Sequence, residues 1–281
     1  MFSADFHLHT TASDGALPPT EAVRRAKSAG LRMMAITDHD TTNGIDEGLK
    51  AAQECGITLI PGVELSAGEN GETHVLGFGK GYQNVDLHRY FTDMRSRRVR
   101  RNEKIVRKLC ELSMPLTMDD VMRFASGTVG RPHIAAAMIE KGYVSSKQEA
   151  FEKWLANGCP AYVPKEVTTV TQAIDILKNA GMIPVIAHPS LMHIDENTLC
   201  ALLTEWKTRG LVGLEVYHPA NGRENGFAYY ERLAKRFGLI VTGGSDFHSD
   251  EDPSAAIGIT ANAWGERCES DAQVLLNLSM G

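Results

Sequence analysis

The stretch MFSADFHLHTTASDG places His7 and His9 two residues apart, with Asp14 a short loop beyond them. A strand over residues 3–9 would send both imidazoles to the same side, because successive side chains alternate. Two nitrogen donors converging beside a carboxylate are suited to a cation. Residues of the same kind recur at the ends of later apolar runs: His39 in AITDHD, Glu64 in PGVE, His188 in VIAHP, and Asp246 and His248 in GGSDFH. His74 stands in the hairpin strand ETHVLGFG. An isolated histidine at a strand end is ordinarily a hydrogen-bonded loop residue, and His88 and His193 are read that way. Six His, two Asp and one Glu in equivalent positions read as a metal cluster. Catalytic zinc takes about three protein ligands, so nine fit two or three ions sharing a bridging carboxylate.

The elements that position these residues alternate. Short apolar runs at 3–8, 31–40, 57–67, 72–79, 182–189, 211–219 and 239–248 predict strands, and GENG predicts a turn before ETHVLGFG. Helical spacing predicts helices over 18–30, 44–56, 169–180, 195–209 and 224–237. Strands alternating with helices imply an α/β fold with a parallel sheet or barrel, whose functional groups collect at the C-terminal strand ends. Residues 83–158 carry almost no strand signal and read as a helical insertion covering the active-site cleft, so that 1–82 and 159–281 form the barrel. In its basic stretch RSRRVRRNEKIVRKLCEL, Phe91, Met94, Ile105, Leu109 and Leu112 form one apolar stripe. Arg97, Arg100, Lys104 and Lys108 fall on a solvated face, while Arg98 and Arg101 lie nearer the stripe and could point into the cleft.

Taken in order and spacing, HLHTTASDG, AITDHDT, PGVELS, VIAHP and GSDFH resemble the metal motifs of the polymerase-and-histidinol-phosphatase (PHP) family of phosphoesterases, without a substitution. The insertion with GRPHIA resembles one branch, which contains nucleoside 3′,5′-bisphosphate phosphatases and a 5′→3′ exoribonuclease; Pro132 replaces a glycine often found there. The resemblance implies a distorted (β/α)₇ TIM-like barrel and three ions. One would be held by His7, His9, Glu64 and Asp246, the second by Glu64, His74 and His188, and the third by Asp14, His39 and His248. Glu64 is then the bridge. Asp5 is expected to orient imidazoles from behind the ligands; for Asp38 that role and a plain loop role are equally open.

Such a site implies hydrolysis of a phosphate ester by water activated between the ions. No G-x-S-x-G elbow, phosphate-binding G-x-x-x-x-G-K-[ST] loop or cysteine motif offers another nucleophile. Arg131 and His133 in GRPHIA stand at a predicted helix start, where phosphate is favoured. His218 and Asn221, at the end of the stretch LEVYHPAN, could reach the same pocket. Glu64, Asp246, Arg131 and His218 are the candidate catalytic residues. The expected substrate is a small phosphorylated nucleotide. Alternatives are short RNA, a cyclic sugar phosphate, histidinol phosphate or a C–N bond. Mn²⁺ is the first expectation for the metal, with Fe²⁺ and Zn²⁺ also suited to mixed His and carboxylate ligands.

Composition narrows the partners. The 281 residues carry a net charge of −6, which argues against general affinity for nucleic acid. No apolar run approaches the roughly 20 residues of a membrane span, and no signal pattern opens the chain. The five scattered cysteines read as buried thiols in a cytoplasmic protein. No membrane partner is expected, and no feature bears on oligomeric state.

Overall fold

A computed structural model describes residues 3–68, 73–125, 129–224, 226–264 and 266–280. Most of the expected GENG turn lies outside them. Two units make up the chain: Met1–Arg89 with Val167–Gly281, and Tyr90–Glu166.

The first unit is the α/β scaffold. In chain order it holds β1 (Ala4–Asp5), α1 (Pro19–Ser28), β2 (Met33–Ile36), α2 (Ile45–Cys55), β3 (Thr58–Ala67) and β4 (Thr73–Phe78). Helix α3 (Val85–Glu111) begins in it, and α4 (Met118–Met122), α5 (Arg131–Glu140) and α6 (Lys147–Ala150) lie in the second unit. The scaffold resumes with α7 (Val170–Asn179), β5 (Ile183–Ile186), α8 (Glu196–Arg209), β6 (Gly213–Tyr217), α9 (Pro219–Glu224), α10 (Phe227–Phe237), β7 (Ile240–Gly243) and α11 (Glu266–Met280).

Local chemistry explains the helix bounds. Pro19 opens α1 with a fixed φ at a position needing no N–H donor. Thr169 caps α7 with a reciprocal bond to Gln172. The helix expected over 224–237 is α10, which starts at Phe227 after Gly226, and a further short helix, α9, occupies the expected loop before it.

The seven strands pair in sequence order. β1–β2–β3 and β5–β6–β7 are parallel, whereas β4 runs antiparallel to both neighbours. The sheet nearly closes beyond β7, where Phe6 N donates to Gly243 O at 3.0 Å and His9 N to Phe247 O at 3.0 Å. This is the distorted seven-stranded barrel expected, with one reversed strand. Regular pairing in the first run covers only Ala4–Asp5, Leu8 forming an isolated bridge to Phe247.

Two apolar layers hold the scaffold. Ala22, Val23 and Ala26 of α1 and Ala51 and Ala52 of α2 pack with Met34, Ile36 and Leu59. A second cluster joins Met33, Ile183 and Ile240, which begin or adjoin the starts of their strands, and Phe78, which ends the reversed one. Ala272 and Leu275 of α11 complete it, so α11 seals the barrel end opposite the site. The sequence predicts no element over that helix, which spans Glu266–Met280.

The second unit has its own core, built from Ile105, Leu109, Leu116, Val121, Ile134, Met138 and Leu155. No strand occurs among its described residues. Phe91, Met94, Ile105 and Leu109 are buried as expected, but Leu112 lies past the end of α3 and is exposed. Arg97 pairs with Asp93 at 2.7 Å. Arg101 does not stand free, because its guanidinium donates to Val163 O at 2.9 Å. Lys108 likewise reaches Tyr162 O at 2.7 Å rather than projecting into solvent. The cysteines correct another expectation: Cys110 is exposed, and Cys55, Cys159 and Cys200 are partly exposed, so none of the described thiols is buried.

Candidate metal centre

Six strands and the loops beside them deliver the candidate ligands to one place. His7 and His9 follow β1, His39 follows β2, Glu64 and His74 lie within β3 and β4, His188 follows β5, and Asp246 and His248 follow β7. Two glycines permit the approach. A Cβ on Gly244 would stand 2.4 Å from the His7 backbone nitrogen, and one on Gly15 2.4 Å from the His9 carbonyl oxygen. Neither chain segment could lie where it does with a larger residue.

Glu64 is the centre of the arrangement. Its Oε2 lies 3.3 Å from His7 Nε2, 3.2 Å from His9 Nε2 and 3.0 Å from His39 Nδ1. Its Oε1 lies 2.8 Å from His74 Nδ1 and 3.1 Å from His188 Nε2. Asp246 Oδ1 stands 3.3 Å from His7 Nε2 and 3.2 Å from His9 Nε2. Asp14 is more open, with oxygens 3.7 Å from His9, 3.9 Å from His39 and 3.5 Å from His248. Four overlapping ligand groups result: His7–His9–Glu64–Asp246, His9–Asp14–His39–His248, His39–Glu64–His74 and His7–Glu215–His218.

The donors fit divalent cations. His7 Nε2, both ring nitrogens of His9, His39 Nδ1, Glu64 Oε2 and Asp246 Oδ1 are buried without a directed hydrogen bond. Leaving such groups unpaired costs roughly 1–3 kcal/mol each, more where charged. Their common neighbourhood and their N/O chemistry are what a cation would satisfy. Strain points the same way. Asp246 has φ 57° and His188 φ 25°, both in the left-handed region that non-glycine residues seldom occupy.

The electrostatics are those of opposed charges awaiting compensation. Burial disfavours charge on Glu64, but His7, His74 and His39 outweigh it and hold the carboxyl well below its usual range. Burial acts likewise on Asp246, and His7, His218 and His9 overcome it. Burial would lower His7, yet Glu215, Glu64 and Asp246 raise it well above the ordinary imidazole value. His9, against the same burial, is raised to about 9 by the Asp246 and Glu64 carboxylates beside it. His188 behaves differently: burial prevails and lowers it.

Around the ligands, several expected roles change. Asp5 orients no imidazole; its oxygens accept the backbone N–H groups of His7, Ser245 and Gly258. Asp38 has the loop role, accepting from Thr10 N, Thr10 Oγ1 and Ser13 Oγ. Asn221 is fully buried, its amide donating to Glu215 O and Val216 O and accepting from Ser190 N, so no polar atom remains for a substrate. His218 stays at the site, with Nε2 3.3 Å from Asp246 Oδ2 and Nδ1 accepting from Ala220 N. Arg131 and His133 begin α5 in the second unit. There Arg131 donates to Leu155 O over the Phe151 ring, and His133 Nδ1 accepts from Gly130 N.

His88 meets a carbonyl, Tyr82 O, as a plain histidine should. His193 does more than expected. It lines a cavity of about 350 Å³ with His39, His74, His188, Leu191, Asp246 and His248. Glu215 is the residue the sequence reading missed. It is fully buried, with Oε1 3.0 Å from His7 Nδ1 and Oε2 accepting His188 N–H at 2.7 Å. Its one sequence signal is a lone charge within the apolar run LVGLEVY.

Comparison with known proteins agrees with this geometry. The PHP domain model matches residues 5–156, more than half of the chain. A 5′-3′ exoribonuclease of Haemophilus influenzae is 35% identical over 245 residues, covering 87% of this chain and 89% of the relative. A 3′,5′-nucleoside bisphosphate phosphatase of Chromobacterium violaceum is 30% identical over 263 residues, covering 92% of each. Among solved structures, a protein of Bifidobacterium adolescentis described as a metal-dependent phosphoesterase superposes with a TM-score of 0.72 at 31% identity, over 100% of this chain and 97% of that one. A barrel with nine candidate ligands at its strand ends, matched by model, relatives and structure alike, leaves one assignment: the chain belongs to the PHP domain family.

Proposed function

We propose that this protein hydrolyses phosphate esters of small nucleotide-like substrates such as nucleoside 3′,5′-bisphosphates. It is a metal-dependent phosphoric ester hydrolase, and the observation that carries the reading is the set of buried, unbonded ligand atoms converging on Glu64 at a 350 Å³ cavity. Ligand pockets span roughly 300–1,000 Å³, so this one suits a single nucleotide better than a polymer.

Three cations are proposed: one with His7, His9, Glu64 and Asp246, one with Glu64, His74 and His188, and one with Asp14, His39 and His248. The distances to Glu64 support the first two groups, while His39 lies 3.0 Å from Glu64 and 3.9 Å from Asp14 and so faces the second group as well as the third. Mn²⁺ is the proposed native ion, with Fe²⁺ and Zn²⁺ compatible with the same donors. When bound, such ions neutralise phosphoryl charge and make water a nucleophile near neutral pH. The chain's own groups do the rest. Glu64 holds two clusters at a fixed separation, and its burial excludes bulk water from their shared edge. His218 accepts on Nδ1 from Ala220, so its neutral form keeps the proton on Nε2, beside Asp246. From there it would donate a hydrogen bond to a phosphate or leaving oxygen. Arg131 and His133 are proposed to contact a second phosphate group.

A second reading, 5′→3′ trimming of short RNA, is favoured by one specific observation, the 35% identity to an exoribonuclease. Phosphate release from nucleoside bisphosphates and mononucleotides, and mononucleotide release from 5′-phosphorylated RNA, both with Mn²⁺ added, test the two readings. Faster release from bisphosphates than from RNA is expected. Loaded enzyme that releases phosphate from none of them refutes the proposal.

A further inference from the structure

We propose that Glu215 is a positioning residue that fixes the tautomer of His7 and the backbone of His188, and so sets up two clusters from one carboxylate. The inference rests on the reading of the site as a metal centre. Glu215 lies in the middle of β6, where the register shifts between Glu215 and Tyr217. Such a bulge re-aims a side chain. Its carboxylate is fully buried and each oxygen has its own donor: His7 Nδ1 at 3.0 Å and His188 N at 2.7 Å. A proton held on His7 Nδ1 leaves Nε2 as a lone pair, and Nε2 is the atom aimed at Glu64 and Asp246. On the other side, the bond to His188 N holds a residue whose φ of 25° is otherwise disfavoured. Asn221 reinforces the arrangement by tying Ser190 N to the Glu215 and Val216 carbonyls.

The geometry requires a carboxylate. Both partners are donors, so both side-chain oxygens must accept. A glutamine has one acceptor and one donor. If its oxygen meets His188 N, its NH₂ faces His7 Nδ1 and drives the imidazole proton to Nε2, where it blocks the lone pair. If its oxygen meets His7, two N–H groups oppose each other at His188. Each Glu215 oxygen already accepts a hydrogen bond, whereas Glu64 Oε2 is buried without one.

The test is Zn²⁺ titration of chelator-treated wild type and Glu215→Gln, with ¹⁵N-edited spectra of the Zn²⁺-loaded histidines. Wild type should show His7 protonated at Nδ1. Partners of ligating histidines typically contribute about 10–100-fold to metal affinity, so the variant should bind Zn²⁺ weaker by that factor. In a His7→Asn background, Glu215→Gln should add much less, because part of its effect passes through His7. Unchanged affinity in folded Glu215→Gln, or His7 protonated at Nε2 in loaded wild type, overturns the inference. If the variant fails to fold, the wild-type spectrum alone decides. Wild type that takes up no cation refutes the metal centre itself, a separate outcome.

Discussion

Glu64→Gln removes one charge while keeping the size of the side chain, and five imidazole nitrogens make the consequence large. Oε2 has three ring nitrogens within 3.3 Å and Oε1 has two within 3.1 Å. At an effective dielectric of about 20, a unit charge about 3 Å away interacts with the carboxylate by roughly 5 kcal/mol. Desolvation opposes part of this. Removing one partner of a buried charge pair costs about 3–5 kcal/mol in practice, equivalent to two to nearly four decades in a binding constant. A carboxylate serving one cation would pass that loss to one site only. Glu64 faces two clusters, so both should weaken together. Metal content after dialysis against buffered Mn²⁺, with calorimetric titration of each step, measures it. Wild-type stoichiometry and affinity at every step in folded Glu64→Gln would refute the bridging role and the division of ligands built on it.

The centre should also couple pH to stability in the metal-stripped protein. His9 is raised from 6.5 to about 9 in the fold, so its contribution is fully present below pH 6.5 and is lost as pH rises through about 9. Thermal melts in EDTA should therefore fall across that window while metal-loaded protein holds steady; parallel curves would contradict it. Arg131→Ala should raise KM for bisphosphates with little change in kcat, as expected for a lost ground-state contact. Loss of metal binding in that variant would assign Arg131 a structural role instead. RNA binding through about six phosphates should weaken about 300-fold between 50 and 200 mM salt, at a slope near −0.7 per contact. Bisphosphate turnover should change less than about tenfold over the same range, and a reversed order would favour the exoribonuclease reading.

The ligands were legible because their chemistry is uncommon in an apolar context. His7, His39, His188, Asp246 and His248 end runs that otherwise exist to be buried, and the structure brings these side chains together. The alternation of strands and helices was legible for the same reason, through period. Glu215 was hidden, because nothing in LVGLEVY says that a bulge turns its carboxylate onto an imidazole 208 residues away. Asp5 was misread because adjacency to His7 suggested a ring contact, whereas three backbone N–H groups claim its oxygens. Asn221 reads as a polar loop residue, whereas it lies within α9 with its amide bonded to Ser190, Glu215 and Val216. α11 is amphipathic only in the sense its neighbours define, through Ala272 and Leu275 against the strand starts.

Stability and function occupy opposite ends of the barrel. At the strand starts, α11 and the cluster around Met33, Ile183 and Phe78 bury apolar surface. At the strand ends, Glu64 is buried and Asp246 half-buried among imidazoles, six ligand atoms lack directed partners, and two ligands sit in strained backbone. Local conflicts of this kind persist only where the surrounding fold over-determines them. Asp5, Asp38, Glu215 and Asn221 supply that determination, each by binding backbone groups of the very segments that carry ligands. Cation binding then relieves conflicts the polypeptide has already arranged, and by mass action contributes up to about 4 kcal/mol when free metal is a thousandfold above its Kd. The same preorganisation explains why a positioning carboxylate behind the ligands should matter nearly as much as a ligand: the cations meet a site whose geometry was set, atom by atom, before they arrive.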